Sequence, residues 1–154
     1  MNPGERFPTV VGTNLAGTSV RLPDGLDGRL NLLLIAFRQV QQADVDTWSP
    51  YTAALEVRRP DVRAYELPVL SAAYRLARPF IDGGMRAAIP DPAVRNRTIT
   101  LYLDKIAFRA ALAVPSEDQI HVRLVDRSGA THWRTNGAWD AAKAAALDAV
   151  LEEA

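Results

Sequence analysis

The run Leu32-Leu33-Leu34-Ile35-Ala36-Phe37 is apolar without alternation. A strand of that composition needs both faces covered, which predicts a central strand between two layers rather than an edge strand. A buried helical segment is the competing reading. Asp27-Gly28 ahead of the run and the polar stretch Arg38-Gln39-Val40-Gln41-Gln42 behind it favour a short strand. Beyond that stretch, Asp44, Asp46 and Thr47 are candidate N-caps for a helix carrying Trp48, Tyr51, Ala54 and Leu55, with Pro50 in its first turns. The helix has to end before Pro60, and 61–67 then reads as a second strand. Strand, helix and strand make a right-handed crossover with parallel neighbours.

The flanking chain supplies further elements. Residues 7–22 alternate weakly around Asn14-Leu15-Ala16-Gly17 and predict a hairpin. Pro68 reads as a stop. Residues 72–89 follow helical spacing with Ala73, Leu76, Ala77, Phe80 and Ile81 expected inward, and Pro79 and Gly83-Gly84 divide that helix into two pieces. Thr98-Ile99-Thr100-Leu101-Tyr102-Leu103 alternates strictly, which predicts a half-exposed strand near an edge. Asp104 can cap a short helix over 105–113, with Ile106, Ala110 and Leu112 inward. The strands 119–125 and 130–135 meet across Asp126-Arg127-Ser128-Gly129, a strong hairpin signal. Their pairing puts Val122, Leu124, Thr131 and Trp133 on one face and Arg123 and His132 on the other. A last helix from about residue 138, capped by Asn136, would bury Trp139, Ala142, Ala146, Leu147, Val150 and Leu151.

These elements fit a single α/β domain over residues 1–154, long enough for one core and too short for two ordinary ones. Eighteen basic and eighteen acidic residues cancel, so nothing global points to nucleic acid or to an anionic membrane. The arginines at 58, 59, 63, 75, 78, 86, 95 and 97 make the middle of the chain locally basic, and read as a solvated, salt-bridged surface. The apolar run at 30–37 is far below the ~20 residues of a membrane helix. The first eight residues lack the basic and apolar regions of a signal peptide, so the expected location is the cytoplasm. Cysteine is absent, which removes disulfides, thiolate nucleophiles and thiolate metal ligands. His121 and His132 stand on pairing strands out of register; a metal would need Asp118 or Asp126 as further ligands, and the two read instead as outward-facing polar strand residues. No cofactor is expected.

The order of elements resembles thioredoxin-like domains of the peroxiredoxin type, in a three-layer α/β fold with an N-terminal β-hairpin, a mixed central sheet and flanking helices. The likeness is carried by Pro8-Thr9-Val10 through Leu22, by Leu26-Asp27-Gly28-Arg29-Leu30-Asn31-Leu32, by Phe37, by Pro50 and by Leu124-Val125-Asp126-Arg127-Ser128-Gly129. The resemblance places the family's Cys-x-x-Cys at about Gln42 and Val45, neither of which forms a thiolate, so disulfide exchange and peroxide reduction are excluded. Gln119-Ile120 stand where the family has its cis-proline. The lost cysteines, Trp48 and Pro50, Leu124-Val125-Asp126 and Trp133 resemble the ATPase-complex assembly factor family, which implies a chaperone-like protein that binds a partner subunit.

Arg38, Gln39, Gln42, Asp44, Val45, Asp46 and Trp48 are the candidate ligand- or partner-binding residues, because they follow the central strand and enter a helix, where ligands gather in open α/β sheets. Two functions compete for this loop. One is a redox-inactive interaction or assembly module whose partner is a protein. The other is a small-ligand-binding protein or non-thiol enzyme using Asp44, Asp46 and Arg38. An exposed apolar patch beside the loop favours the first, and a perturbed carboxylate in a pocket favours the second.

Overall fold

A computed structural model describes residues 6–154; the first five residues, part of the segment read above for a signal peptide, lie outside that range. The chain runs through β1 (Val10–Asn14), β2 (Ser19–Leu22), β3 (Leu30–Ala36), α1 (Gln42–Asp46), α2 (Ser49–Arg58), β4 (Val62–Ser71), α3 (Arg78–Ala88), α4 (Pro92–Arg97), β5 (Ile99–Leu103), α5 (Lys105–Leu112), β6 (His121–Asp126), β7 (Thr131–Asn136) and α6 (Ala141–Glu153). Short 3-10 turns cover Gln39–Gln41 and Ala72–Ala77. The strands form one mixed sheet in the order β2-β1-β5-β4-β3-β6-β7. The apolar run is its central strand: β3 pairs parallel with β4 and antiparallel with β6.

Both faces of β3 are covered, as continuous apolarity demands. Leu30, Leu32 and Leu34 point into a core closed by Val45, Trp48 and Leu55 and by Leu147 and Leu151 of α6. Leu33, Ile35 and Phe37 point into a second core with Phe7, Leu22, Leu26, Phe108 and Leu112. Each of these buried Leu or Phe side chains contributes about 1.5–3 kcal/mol on leaving water. Asn31 interrupts the run yet is fully buried, because its side chain accepts from the Gly28 N–H and donates to the Gly28 carbonyl, both at 2.9 Å. Gly28 has to be glycine, since a Cβ there would lie 2.4 Å from the Leu30 carbonyl oxygen.

Several expected elements fall elsewhere. β5 is not near an edge but lies between β1 and β4, and its polar residues Thr100 and Tyr102, with Thr98 just ahead of it, are all buried. Its polar face is satisfied by Asp82 of α3, which accepts from the Tyr102 hydroxyl at 2.9 Å and the Thr100 hydroxyl at 3.4 Å. Burial, together with the Asp82 carboxylate, raises the Tyr102 phenol well above its usual range. β4 passes through Pro68 to Ser71, because Pro68 stands opposite Ala36, the last residue of β3, where a missing N–H costs no further ladder bond.

The helix expected over 72–89 does form two pieces, but Pro79 opens the second rather than breaking it, and Gly83-Gly84 lie inside α3. Its expected inward stripe is reversed, with Leu76 98% and Phe80 85% exposed while Asp82 is buried. In α5, capped by Asp104 as expected, Phe108 and Leu112 face inward and Ile106 outward. α4, with Asp91 as cap and Pro92 in its first turn, has no counterpart in the expected elements. α6 is capped by Asp140 rather than Asn136 and buries Ala144, Leu147 and Leu151, leaving Trp139, Ala142 and Ala146 exposed.

The β6–β7 hairpin forms across Asp126–Gly129 with Gly129 in the left-handed region at φ 95°. A register shift at Leu124/Val125 sets Thr131 opposite Val125 and Trp133 opposite Leu124, where an unshifted hairpin would set Thr131 opposite Leu124 and Trp133 opposite Val122. Burial raises the Asp126 carboxyl, but bonds from Ser128, His132 and Ala130 overrule it and leave it at about 2. A folded-state value below the unfolded one adds stability that is complete above about pH 4 and disappears as pH falls toward 2. Asp126→Asn should therefore destabilise the domain near neutrality, and the gap to the wild type should close between pH 4 and 2 in urea titrations. A gap independent of pH contradicts this.

Candidate functional site

The parallel strands β3, β4 and β5 end on the same side of the sheet, since Ala36 registers with Pro68 and Ser71 with Leu103. The segments that follow them, 37–48, 72–80 and 104–106, gather there with the loop entering antiparallel β6. This C-terminal edge is where open α/β sheets present their sites.

The loop after β3 is built around Gln41, which is buried. Its Oε1 accepts from the backbone N–H groups of Phe37 and Arg38 at 2.8 and 3.2 Å, and its Nε2 donates to the Glu117 carbonyl at 2.6 Å. The capping expected of Asp44 and Asp46 is not made, since no side chain caps the N-terminus of α1 or of α2. Those two lie inside α1 rather than at its cap, and Asp46 accepts from Gln42 Nε2 at 2.9 Å. Thr47 binds backbone on both sides, donating to the Asp44 carbonyl at 2.6 Å and accepting from Trp139 N–H at 2.9 Å.

Arg38, Gln39, Gln42 and Asp46 are exposed and Asp44 is half-buried. Val45 and Trp48 are not available to a partner, because their side chains are 1% and 0% exposed and belong to the core beneath the loop. The Trp48 indole N–H donates to the Gly137 carbonyl at 3.1 Å, tying the loop to the start of the last helix.

Charges beside the loop are paired. Arg38 meets Asp118 at 3.4 Å, and Glu117 meets Lys105 at 2.8 Å and Arg109 at 3.5 Å. Lys105 also donates to the Phe37 carbonyl at 3.1 Å, so α5 is fastened to the end of β3. Large apolar side chains at this edge are left in water: Val40, Tyr74, Leu76, Phe80 and Ile106 are all exposed. Sequence periodicity hid Leu76, Phe80 and Ile106, because helical spacing assigns such residues inward.

One titratable group also escaped the sequence reading. Glu66 sits in β4 facing Thr98, Gln42 and Asp46, and burial followed by the charge of Asp46 raises its carboxyl above the ordinary value. Its position in mid-strand, two residues before Pro68, was the available signal. The histidines do not meet. His121 is buried edge-to-face against Phe37, and His132 bonds Asp126 at 2.8 Å in the hairpin turn. Among the described residues no three His, Asp or Glu side chains are grouped to hold a metal ion, and no helix is long and apolar enough to cross a membrane.

No protein-family model matches the chain, and no curated protein sequence matches it. Solved structures do. BsSco, a member of the Sco family of cytochrome c oxidase assembly proteins, is 15% identical, with a TM-score of 0.67 over 98% of this chain and 95% of its own. The thioredoxin domain of a thiol-disulfide oxidoreductase from Bacteroides vulgatus is 17% identical, with a TM-score of 0.59 over 98% of both chains. The exposed lipoprotein thioredoxin Etrx1 of Streptococcus pneumoniae is 14% identical, with a TM-score of 0.60 over 94% of this chain and 99% of its own. The chain therefore has the thioredoxin-like fold, with no cysteine anywhere in its 154 residues to perform thiol–disulfide chemistry.

Proposed function

We propose that this chain is a redox-silent thioredoxin-like domain that binds a protein partner, in an assembly or chaperone-like role, through the C-terminal edge of its parallel strands. The observation that carries this reading is the exposure there of Val40 at 81%, Leu76 at 98%, Phe80 at 85% and Ile106 at 74%. Keeping apolar surface in water costs about 25 cal/mol per Å², a cost that an interface removes. Arg38, Gln39, Gln42, Asp44 and Asp46 form the polar side of the proposed surface, and Val45 and Trp48 support it from below. The similarity to BsSco, from a family of assembly proteins, supports a partner-binding role. The ATPase-complex assembly factor resemblance points the same way, although Trp48 and Leu124, which carry it, are core residues. The fold is compartment-neutral, since an exposed lipoprotein shares it.

A photo-crosslinking residue at Leu76 or Phe80 should capture one discrete protein in cells, and excess unlabelled chain should compete it away. The same residue at exposed Val57, at the far end of α2, should capture none. Identical capture from all three positions, or none from any, contradicts the proposal. The raised carboxyl of Glu66 beside Asp46 favours a second reading, a small-ligand or non-thiol catalytic site. Glu66→Gln separates the two, leaving crosslinking intact under the first and abolishing ligand binding under the second.

A further inference from the structure

The segment after β4 is turned inside out. From Ala73 to Phe80 every residue is exposed, and Tyr74, Leu76 and Phe80 among them are large and apolar. What fastens it to the sheet is polar. Arg75 donates to the Tyr102 carbonyl at 3.0 Å, Arg78 to the Thr13 hydroxyl at 3.4 Å and Arg86 to the Leu15 carbonyl at 2.7 Å, while Asp82 accepts from the hydroxyls of Tyr102 and Thr100. Single exposed apolar residues are ordinary on a surface, but a run of them marks an interaction site. On α3, Phe80, Gly84 and Ala87 fall at i, i+4 and i+7 and are all exposed, so they share the outward face; exposed Leu76 and Ala77 stand just ahead of it.

Charge says what this face accepts. Residues 67–90 hold arginines at 75, 78 and 86 and one acid, Asp82, which is buried. Elsewhere at this edge the charges cancel, Arg38 with Asp118, and Lys105 and Arg109 with Glu117. Arg75 and Arg78 bracket Leu76, are exposed, and hydrogen-bond neutral oxygens among the described residues. The surface beside Leu76 and Phe80 is therefore positive. Carboxylates complement it, because guanidinium forks bind them through paired N–H donors and basic partners are repelled.

An anionic bilayer and an acidic protein helix both combine apolar and negative groups, and α3 itself decides between them. Interfacial binding scales with the apolar area a helix inserts. Beyond Phe80 this face offers only glycine and alanine, which insert almost nothing but let a second backbone come close. An added Cβ at Gly83 or Gly84 would meet nothing within 4 Å, so the fold itself does not require glycine there, where alanine would favour the helix.

We infer that α3 seats an amphipathic helix of a partner protein, whose apolar stripe lies over Phe80 and Gly84 and whose acidic flank meets Arg75 and Arg78. The inference rests on the partner-binding reading and names the chemistry of that partner.

The test uses the intact chain and synthetic helical peptides of about three heptads. One carries a leucine stripe with glutamate flanks, the other the same stripe with lysine flanks. The glutamate peptide should bind saturably and at least tenfold tighter than the lysine peptide, and the gap should narrow as salt rises. Arg75→Glu should reduce that preference at least tenfold, while Arg134→Glu, the same charge change on the far edge strand β7, should leave it as it is. Gly84→Gln should weaken binding at least tenfold and melt at or above the wild-type temperature, because its side chain enters open space and replaces a helical glycine. Should Arg75→Glu melt early through loss of its bond to Tyr102, Gly84→Gln carries the comparison alone. Equal binding of the two peptides, binding of neither, or unchanged affinity in Gly84→Gln overturns the inference, and so does binding of phosphatidylserine vesicles in preference to the glutamate peptide. A Phe80 crosslink that persists when the glutamate peptide fails leaves the partner-binding reading standing without this one; loss of both removes both.

Discussion

Trp48→Ala should lower the unfolding free energy by about 3–5 kcal/mol, the range for removing a large buried aromatic. The indole is fully buried in the core beneath the loop and packs edge-to-face on Tyr51 at 6.1 Å. Truncation leaves a cavity no neighbour can fill without moving α2, and it strips the Gly137 carbonyl of its donor. For a domain stable by about 5–15 kcal/mol, that is a large fraction of the total. Trp139→Ala should cost under about 1 kcal/mol, because that ring is 38% exposed and the residue's bond to Thr47 is made by its backbone. Urea midpoints at unchanged slope measure the difference. Equal losses at the two positions would show that Trp48 is not the clamp between the loop and the last helix.

That result bears on how the loop was legible in the sequence. Proximity to the loop made Trp48 a candidate contact surface. Its place on a helical stripe with Tyr51 and Leu55 read as core at the same time, and the tertiary structure, which buries the side chain and sets Gly137 opposite its indole N–H, decides for core. The central strand was readable, because six consecutive apolar residues have one physical solution, cover on both faces. The last hairpin was readable for a local reason too, an Asp-x-x-Gly turn needing one residue with positive φ.

What misled was amphipathic periodicity. It reports that a helix has two faces without saying which one the sheet takes. In α3 the buried face carries Asp82, because β5 offers Thr100 and Tyr102 rather than aliphatic side chains. The strict alternation of β5 likewise looked like exposure, and its polar face was instead satisfied by a buried carboxylate. α4 was announced by Asp91-Pro92, a cap followed by proline at the first helical position. The facing of Arg123 and Arg134 across β6 and β7 depends on a cross-strand register, shifted at Leu124/Val125, that no local signal specifies.

The second large effect concerns the corner where α1 begins. Gln42 starts that helix and Val45 lies three residues on, one exposed and one buried. By helix geometry residues at this spacing have Cα atoms about 5 Å apart, inside the roughly 4.4–6.8 Å that a disulfide spans. The helix continues almost unbroken through Thr47 and Trp48 into α2, so cysteines there would occupy a fixed frame. Gln42→Cys removes exposed hydrogen bonding to Asp46 and a side-chain bond to Glu66, and Val45→Cys keeps a small apolar side chain in the core. Neither change should unfold the protein, and a thiol at the helix start should titrate below its free value of about 8.5.

If this scaffold differs from thiol oxidoreductases at its reactive corner only in lacking the sulfur, restoring two cysteines should restore the bond. The measurement is the mass and thiol content of the Gln42→Cys/Val45→Cys protein after mild oxidation, beside a peroxide and disulfide turnover assay of the wild type. The expected result is an intramolecular disulfide in the variant, seen as the loss of two hydrogens and of both free thiols, with no turnover by the wild type. Two thiols persisting in a natively folded, oxidised variant, or any turnover by the cysteine-free chain, would contradict it.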